Sequence, residues 1–173
     1  SSAASDVYKR QPEYDVILST GEQFSSAFLS TALNKSGIIS RSLMGWQIPI
    51  LTDSHYSKAR ILSVDTSNIK RFFKKYRVLV VAGFQGITKD NRITTFGRGG
   101  SDTSAVAMAV ALKSKCCEIF TDVDGIYSAD PRIVKNAKKI KKITYEEILE
   151  MASLGSKVLH PRSVELAMKY GIK

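Results

Sequence analysis

The sequence has few cysteines and no long apolar run. Its two cysteines, Cys116 and Cys117, are adjacent in the 173-residue chain, and neighbouring residues rarely reach disulfide geometry. A disulfide framework is therefore excluded, and no Cys or His spacing typical of a zinc site is present. No run of about twenty apolar residues could span a membrane, and no secretory signal pattern opens the chain. These absences predict a soluble protein of the reducing cytoplasm.

Acidic residues are also in short supply, since 16 Asp and Glu face 26 Lys and Arg and the net charge is +10. The densest basic run lies at Lys135, Lys138, Lys139, Lys141 and Lys142. A basic surface can bind nucleic acid, but it can also belong to an enzyme that handles nucleotides. No aromatic residue interleaves these lysines to stack on bases. A solvated surface is therefore the favoured interpretation, and no nucleic-acid partner is expected.

The first eleven residues do not read as natural protein. Residues 1–11 match an in-frame translation of a common sequencing adapter, codon for codon. We therefore expect residues 1–11 to be a non-native tail and residues 12–173 to be part of one domain that lacks its N-terminal portion. A flexible natural N-terminus is the alternative.

Strand and helix patterns alternate along the rest of the chain. Apolar, β-branched runs predict strands at 14–18, 76–82 and 118–123, with weaker patterns at 38–43, 48–52 and 59–64. Helical spacing predicts helices at 22–35, 101–115, 144–154 and 161–170. Gly37 and Gly171 stand where C-caps belong, and Thr144 with Glu147 forms a capping box. This alternation indicates an α/β fold around a largely parallel sheet.

The strongest functional signal is the glycine loop, residues 97–102, which reads Gly-Arg-Gly-Gly-Ser-Asp before a predicted helix. Glycine lets the backbone approach a ligand closely, and a helix N-terminus favours an anion. Arg98 adds a planar guanidinium suited to a carboxylate or a phosphate. A tight structural turn with a solvated Arg98 is the alternative. The spacing matches neither a Walker A loop nor a dinucleotide fingerprint.

A second segment follows the predicted strand at 118–123. Thr121 and Asp122 fall at its carboxyl end, where open α/β sheets bind ligands. The pairs Asp124-Gly125 and Asp130-Pro131 are better explained as turns.

A third segment lies between the last two predicted helices. Lys157 in this loop could reach a phosphate, although a lone lysine more often faces solvent. His160, before Pro161, is expected to be structural, and His55 is expected on the surface.

Together these segments resemble the aspartate kinases, within the amino-acid kinase superfamily. The resemblance runs from about residue 13 to 173 and depends on five motifs in the family's order, at residues 19–22, 45–49, 97–102, 120–132 and 157–161. It implies a three-layer αβα sandwich around a mainly parallel sheet, the carbamate-kinase-like fold. It also implies ATP-dependent phosphorylation of the L-aspartate β-carboxylate to 4-phospho-L-aspartate, a step toward lysine, threonine and methionine.

The resemblance implies roles in binding the amino acid. Glu22 would receive the α-ammonium group of aspartate, and Arg98 would bind its α-carboxylate. The other residues expected to line this pocket are Phe84, Gly99, Gly100 and Ser101.

It also implies the nucleotide side of the site, with Thr121, Asp122, Tyr127 and Arg132 as ATP-binding residues. Lys157 would contact the ATP phosphates, and Asp102 would orient a lysine from a first strand that this chain lacks. Mg²⁺ would be carried by the nucleotide phosphates, without a protein metal site. The expected partners are L-aspartate and ATP, with no nucleic acid and no membrane, and the full-length parent is expected to be a cytoplasmic homo-oligomer.

The sequence also departs from the family pattern. The opening Lys-Phe-Gly-Gly-Thr-Ser segment and the C-terminal ACT domains are missing, so we expect this fragment alone to be inactive. Phe96 stands where leucine is usual. The alternatives are another superfamily kinase, for acetylglutamate, glutamate or UMP, and more remotely a basic nucleic-acid-binding module. Glu22 with Arg98 favours a zwitterionic amino acid over a nucleotide.

Overall fold

The computed structural model describes residues 2–154 and 159–173, with side chains from residue 10 onward. Its elements, in chain order, are α1 (Ser2–Lys35), β1 (Ser40–Leu43), β2 (Ile50–Thr52), β3 (Ile61–Val64), α2 (Ser67–Phe72), β4 (Val78–Val81), β5 (Gln85–Ile87), β6 (Ile93–Thr95), α3 (Gly100–Ala111), α4 (Tyr145–Ser153) and α5 (Pro161–Tyr170). None of the helices in these ranges is both long and apolar enough to cross a membrane.

The strands form two sheets. β1 and β4 pair in parallel, with Ser40 opposite Val78 and Leu43 opposite Val81. The second sheet has the order β3-β2-β5-β6, in which β2 and β5 are parallel and the two outer pairings are antiparallel. Parallel neighbours need long crossovers, and here the β1–β4 crossover contains β2, β3 and α2. The predicted α/β class is confirmed, with parallel pairs at the centre of a mixed sheet arrangement.

Helix α3 joins the two parts of the apolar core. One cluster centres on Leu43, Ile48 and Ile69, and the other on Ile50, Ala59 and Phe96. Met108 of α3 packs against both clusters. Met108 is partly buried, and the α3 residues Val106, Ala107 and Ala109 around it are buried, so apolar burial fixes α3 against both clusters. Its first turn, which carries the glycine loop, is fixed with it.

Residues 14–21 are helical, so the predicted strand at 14–18 and the turn after it are wrong. The apolar residues Tyr14, Ile17 and Leu18 are all exposed on α1, whereas Asp15 and Ser19, four residues apart, are fully buried. The buried face therefore has a helical period and is made of small polar residues, which a pattern of apolar residues does not reveal. α1 also runs through residues 2–11. The non-native origin of residues 1–11 remains a prediction.

The predicted strand at 118–123 is also wrong. These residues form no strand, and Phe120 is 90% exposed. Other predictions are confirmed. The weaker strand patterns correspond to β1, β2 and β3, the Thr144–Glu147 capping box forms, and Gly171 ends α5 in a left-handed conformation.

Candidate active site

The glycine loop connects β6 to α3 through a backbone that favours glycine. Gly97 has a φ of 75° and Gly99 a φ of 68°, both in the left-handed region. α3 begins at Gly100 with no side-chain cap. Within the described part of the chain, the backbone N–H groups of Ser101 and Asp102 have no hydrogen-bond acceptor. The helix start therefore offers free donors and the positive end of its dipole to an anion.

Space also requires glycine in this loop. A Cβ at Gly100 would lie 2.7 Å from the Phe84 ring, and one at Gly97 would lie 2.8 Å from the carbonyl oxygen of Ser57. A Cβ at Gly99 would overlap the side chain of His160. The loop is thus packed against three separate parts of the chain. The predicted structural role of His160 is confirmed, since its Nδ1 also caps α5 by accepting from the N–H of Arg162.

Phe84 lies over the first turn of α3. Its φ of 65° is unusual for a residue with a side chain. Two hydrogen bonds hold it there: its N–H donates to Ser104 Oγ at 3.1 Å, and its carbonyl accepts from the N–H of Phe96 at 3.1 Å. Ser104 Oγ in turn donates to the carbonyl of Ser101 at 2.8 Å. The structure therefore brings Phe84, Gly100 and Ser101 together, as the sequence suggested.

Glu22 lies on α1, next to Gln23, which bonds to the segment that carries Phe84. Its Oε2 atom is buried and has no hydrogen-bond partner among the described residues. The next residue, Gln23, donates to Gln85 Oε1 at 3.1 Å, and Gln85 Nε2 donates to the carbonyls of Ser19 and Gly83. α1 is thereby fixed beside the segment that carries Phe84. A buried carboxylate oxygen without a donor costs about 1–3 kcal/mol, so this position favours a cationic group from a ligand.

The two charged residues of the loop differ in setting. Arg98 is exposed and makes no salt bridge with any described residue. Asp102 is half-buried in the first turn of α3. Burial raises the pKa of the Cys117 thiol, and the nearby charge of Asp102 raises it further. Cys117 is therefore a neutral thiol near Asp102, in the first turn of α3.

The predicted nucleotide residues lie in residues 121–132, here called the nucleotide unit, and each bonds to a near neighbour in the sequence. The Tyr127 hydroxyl donates to both carboxylate oxygens of Asp124, and this contact lowers the pKa of Asp124. Arg132 donates from Nε and Nη2 to Asp130 and lowers the pKa of that carboxyl. The N–H of Arg132 also bonds to Asp130 Oδ1, which confirms the turn predicted there.

This unit is not bonded to the glycine loop. In the described ranges, no hydrogen bond joins residues 121–132 to residues 97–102. Thr121 and Asp122 bond to each other at 3.0 Å and are exposed. Of the predicted site residues, the structure thus shows contacts among Phe84, Gly100 and Ser101, and it shows no hydrogen bond from the nucleotide residues to the loop. The strand predicted to carry Thr121 is absent. Lys157 lies outside the described residues.

Arg162 makes contacts near the glycine loop that the sequence did not predict. It donates from Nη1 to the carbonyl of Phe96 at 3.2 Å and from Nη2 to the carbonyl of Ala59 at 3.4 Å. Arg162 thus ties α5 to the residue before the glycine loop. The sequence does contain an indication of these contacts. A cation in the first turn of a helix is unfavourable for the helix dipole, which suggests that Arg162 bonds to groups outside α5.

Comparison with known proteins shows the family of the chain. The profile of the amino acid kinase family matches residues 2–173. The chain belongs to the amino acid kinase family.

Within this family, two curated relatives are closely similar. The aspartate kinase of Pseudomonas fluorescens is 58% identical over 160 residues, which are 92% of this chain and 39% of that protein. The aspartokinase of Rickettsia felis is 53% identical over 160 residues, 92% of this chain and 40% of that protein. The amino acid kinase chain described here therefore spans about 40% of the length of these relatives.

A solved structure of the same family is similar in fold. E. coli aspartokinase III, in complex with aspartate and ADP in its R-state, superposes with a TM-score of 0.82 at 31% identity. The match covers 94% of this chain and 37% of that one.

Proposed function

We propose that this chain is the amino-acid-binding part of an aspartate kinase, which phosphorylates the β-carboxylate of L-aspartate with ATP to give 4-phospho-L-aspartate. One observation carries the proposal. A glycine loop with free backbone donors lies at the start of α3, packed under Phe84. Helix α1, which bonds through Gln23 to the residue after Phe84, carries a buried Glu22 oxygen that has no partner among the described residues. The names of the relatives that match 92% of the chain support the same reaction.

The charges of the site suit a zwitterion. Arg98 and the N–H groups of Ser101 and Asp102 would bind the α-carboxylate of aspartate, because guanidinium and helix-start donors both favour an anion. Glu22 would bind the α-ammonium group, which would satisfy the buried Oε2 atom. A nucleoside monophosphate has no ammonium group to offer at this position. The pair therefore favours an amino acid over UMP.

The reaction would need positioning more than proton transfer. The β-carboxylate is already ionised near neutral pH, so no general base is required when it attacks the γ-phosphorus. The bond between the γ-phosphorus and the bridging oxygen breaks, and ADP leaves. Lys157 would neutralise phosphate charge, and Asp102 would orient a lysine from outside this chain. Holding two anions together in line is then the main task of the protein.

Magnesium would be supplied on the nucleotide. Among the described residues, no group of three His, Cys, Asp or Glu side chains is arranged to hold a metal ion. The triphosphate oxygens would therefore be its main ligands, and the ion would reduce phosphate charge. Thr121, Asp122, Tyr127 and Arg132 would bind the nucleotide. The 173-residue chain alone would be inactive, and the full-length enzyme would be a cytoplasmic homo-oligomer.

A chimera tests the proposed function. This chain would supply the 160 residues that it shares with the Pseudomonas fluorescens aspartate kinase, and that enzyme would supply the rest. We expect ADP release that depends on L-aspartate and not on UMP, glutamate or acetylglutamate. The unmodified Pseudomonas enzyme is the positive control, and the 173-residue chain alone should release no ADP. A correctly folded chimera that prefers another acceptor would refute the proposal.

A further inference from the structure

Asp15 is a buried carboxylate for which the reaction described above has no use. It lies on α1 and is 0% exposed. Its Oδ2 accepts from the N–H of Thr95 at 2.7 Å and from the N–H of Ser57 at 2.9 Å. Its Oδ1 accepts from the two hydroxyls, at 3.0 Å from Thr95 and 2.9 Å from Ser57. No salt bridge to a described cation accompanies these four bonds.

The two residues that donate hydrogen bonds to Asp15, Thr95 and Ser57, both lie next to the glycine loop. Thr95 is the last residue of β6, two positions before Gly97. Ser57 touches the loop itself, since its carbonyl oxygen lies 2.8 Å from where a Cβ of Gly97 would be. The carbonyl of Thr95 also accepts from the N–H of Ala59 at 2.9 Å. Asp15 thus joins β6, which precedes the loop, to the segment of Ser57, which packs against the loop.

Asp15 and Glu22 share one face of one helix. They are seven residues apart, which is two turns and about 10 Å along the axis. Ser19, between them, is also fully buried and faces the same way. A continuous helix is stiff over this length, so the position of the Glu22 carboxylate follows from the position of Asp15. The helix therefore connects the group that would bind the ammonium end of the substrate to the group that holds the loop for its carboxylate end.

We infer that Asp15 is a positioning residue for the amino-acid site. Its carboxylate fixes the glycine loop relative to Glu22, so that the two ends of one amino acid are bound at the correct separation. This inference rests on the proposed function for the identity of the ligand. The fixing of the loop itself does not, and it can be measured without any substrate.

Two substitutions at position 15 differ in what they leave behind. Asp15→Ala removes both acceptor oxygens, and with them all four hydrogen bonds, and leaves two backbone N–H groups buried without partners. Asp15→Asn can keep both N–H bonds through Oδ1, while its Nδ2 donates to the two hydroxyls after they rotate. Asn is therefore the rescue variant. Because Asn also keeps the volume of the side chain, rescue by Asn is read together with the KM values for aspartate and ATP, which a general loss of packing would raise alike.

Amide hydrogen exchange in the 173-residue chain is the first test. In Asp15→Ala we expect the hydrogen-bonded amides of Thr95, Phe96 and Gly100 to exchange about tenfold faster, since their local anchor is lost. Asp15→Asn should stay near the unsubstituted rates. The matched control is Ser30→Ala, which removes the buried 2.9 Å bond between Ser30 and Ser40 at the other end of α1. It should leave these three amides unchanged. Equal acceleration in the control and in Asp15→Ala would overturn the inference.

Kinetics in the chimera are the second test. Asp15→Ala should raise KM for aspartate about tenfold and change KM for ATP less than about twofold, because the nucleotide unit is not bonded to the loop. Asp15→Asn should restore most of the aspartate affinity. If Asp15→Ala does not fold, the double substitution Ser57→Ala with Thr95→Val carries the test. It removes both hydroxyl donors, keeps both N–H groups, and should raise KM for aspartate about threefold.

The outcomes separate the two claims. If the unsubstituted chimera does not phosphorylate aspartate, the proposed function fails, and the exchange rates alone decide whether Asp15 fixes the loop. If KM rises equally for both substrates, or if Asn fails to rescue, Asp15 is only a structural anchor and the inference is wrong.

Discussion

Gly99 shows how a single missing side chain shapes the loop. Its φ of 68° suits glycine, and the space beyond its Cα is filled by His160. Gly21 is the opposite case, because it lies inside α1 and a Cβ added there would meet nothing within 4 Å. The backbone conformation and the neighbouring side chain therefore require glycine at position 99, whereas position 21 has room for a side chain.

Substitution by alanine should separate them. We expect Gly99→Ala to destabilise the chain by about 1–3 kcal/mol, through backbone strain and the displacement of His160. Gly21→Ala should stabilise it by about 0.5–1 kcal/mol, because alanine is favoured in a helix interior. Urea unfolding followed by circular dichroism measures both. A destabilising Gly21→Ala would contradict the helical conformation of residues 14–21.

Arg98 is the loop residue whose role depends most on a ligand, since it is exposed and unpaired among the described residues. In the chimera, Arg98→Ala should raise KM for aspartate about tenfold or more, because a charge-assisted bond to the α-carboxylate is lost. Arg98→Lys should recover part of this, as a point charge without the planar fork. Arg71→Ala, on the remote helix α2, is the control and should behave as the unsubstituted enzyme. Unchanged aspartate saturation in Arg98→Ala would refute the role of Arg98.

The hydrogen bond between Tyr127 and Asp124 should be visible in a pH titration. It lowers the pKa of the Asp124 carboxyl and raises the pKa of the Tyr127 hydroxyl. Because the folded pKa of Asp124 is depressed, its contribution to stability is present above the ordinary carboxyl pKa and is lost as pH falls through the lowered value.

Removing the hydroxyl gives a direct check of that bond. Tyr127→Phe should move the pKa of Asp124 upward, toward its ordinary value, and NMR of the carboxyl carbon reports this titration. Asp130, which bonds to Arg132 instead, is an internal reference that should not shift. An unchanged Asp124 titration would show that the nearby ammonium of Lys139 dominates its environment.

At the scale of elements, the sequence predicted those whose cause is local. The strands β1 and β4, the capping box of α4 and the glycine end of α5 all follow from nearby residues. α1 was missed at residues 14–21 because its buried face carries Asp15 and Ser19, while its apolar residues point outward. β5 and β6 are three residues each and have no pattern long enough to read.

The candidate site divides in the same way. The glycine loop was predictable, since its glycines, its arginine and its helix start are consecutive. The contacts of Asp15 with Thr95 and of Arg162 with Phe96 join residues 80 and 66 positions apart, and no single-sequence pattern reports such pairs. The strand predicted at 118–123 is not formed, so Thr121 and Asp122 do not lie at the carboxyl end of a strand.

For the whole molecule, the outer face of α1 is the most unusual surface. Its large apolar side chains are between 51% and 72% exposed, at Tyr14, Ile17, Leu18, Phe24, Phe28 and Leu29. The rings of Phe24 and Phe28 stack with centroids 6.1 Å apart. Exposed apolar surface of this extent on a protein in water favours association or aggregation.

This surface gives a prediction for the 173-residue chain. It should self-associate with increasing concentration and bind a hydrophobic dye, and the double substitution Phe24→Ser with Phe28→Ser should reduce both. Leu62→Ser is the control, because Leu62 is 57% exposed on β3, away from this face. Sedimentation velocity over a concentration series measures the association. A monomeric unsubstituted chain would contradict the prediction.

The buried polar face of α1 limits what this part of the protein can select. All free amino acids carry an ammonium group and a carboxylate on one α-carbon. A fixed distance between Glu22 and the glycine loop would therefore suit glutamate as well as aspartate. In the proposed reaction, aspartate and glutamate would then be distinguished at the other end of the substrate, where the side-chain carboxylate would meet the phosphate. A change in which amino acid is phosphorylated would require substitutions on the nucleotide side of the site. Substitutions in α1 would weaken the binding of every amino acid to the same extent.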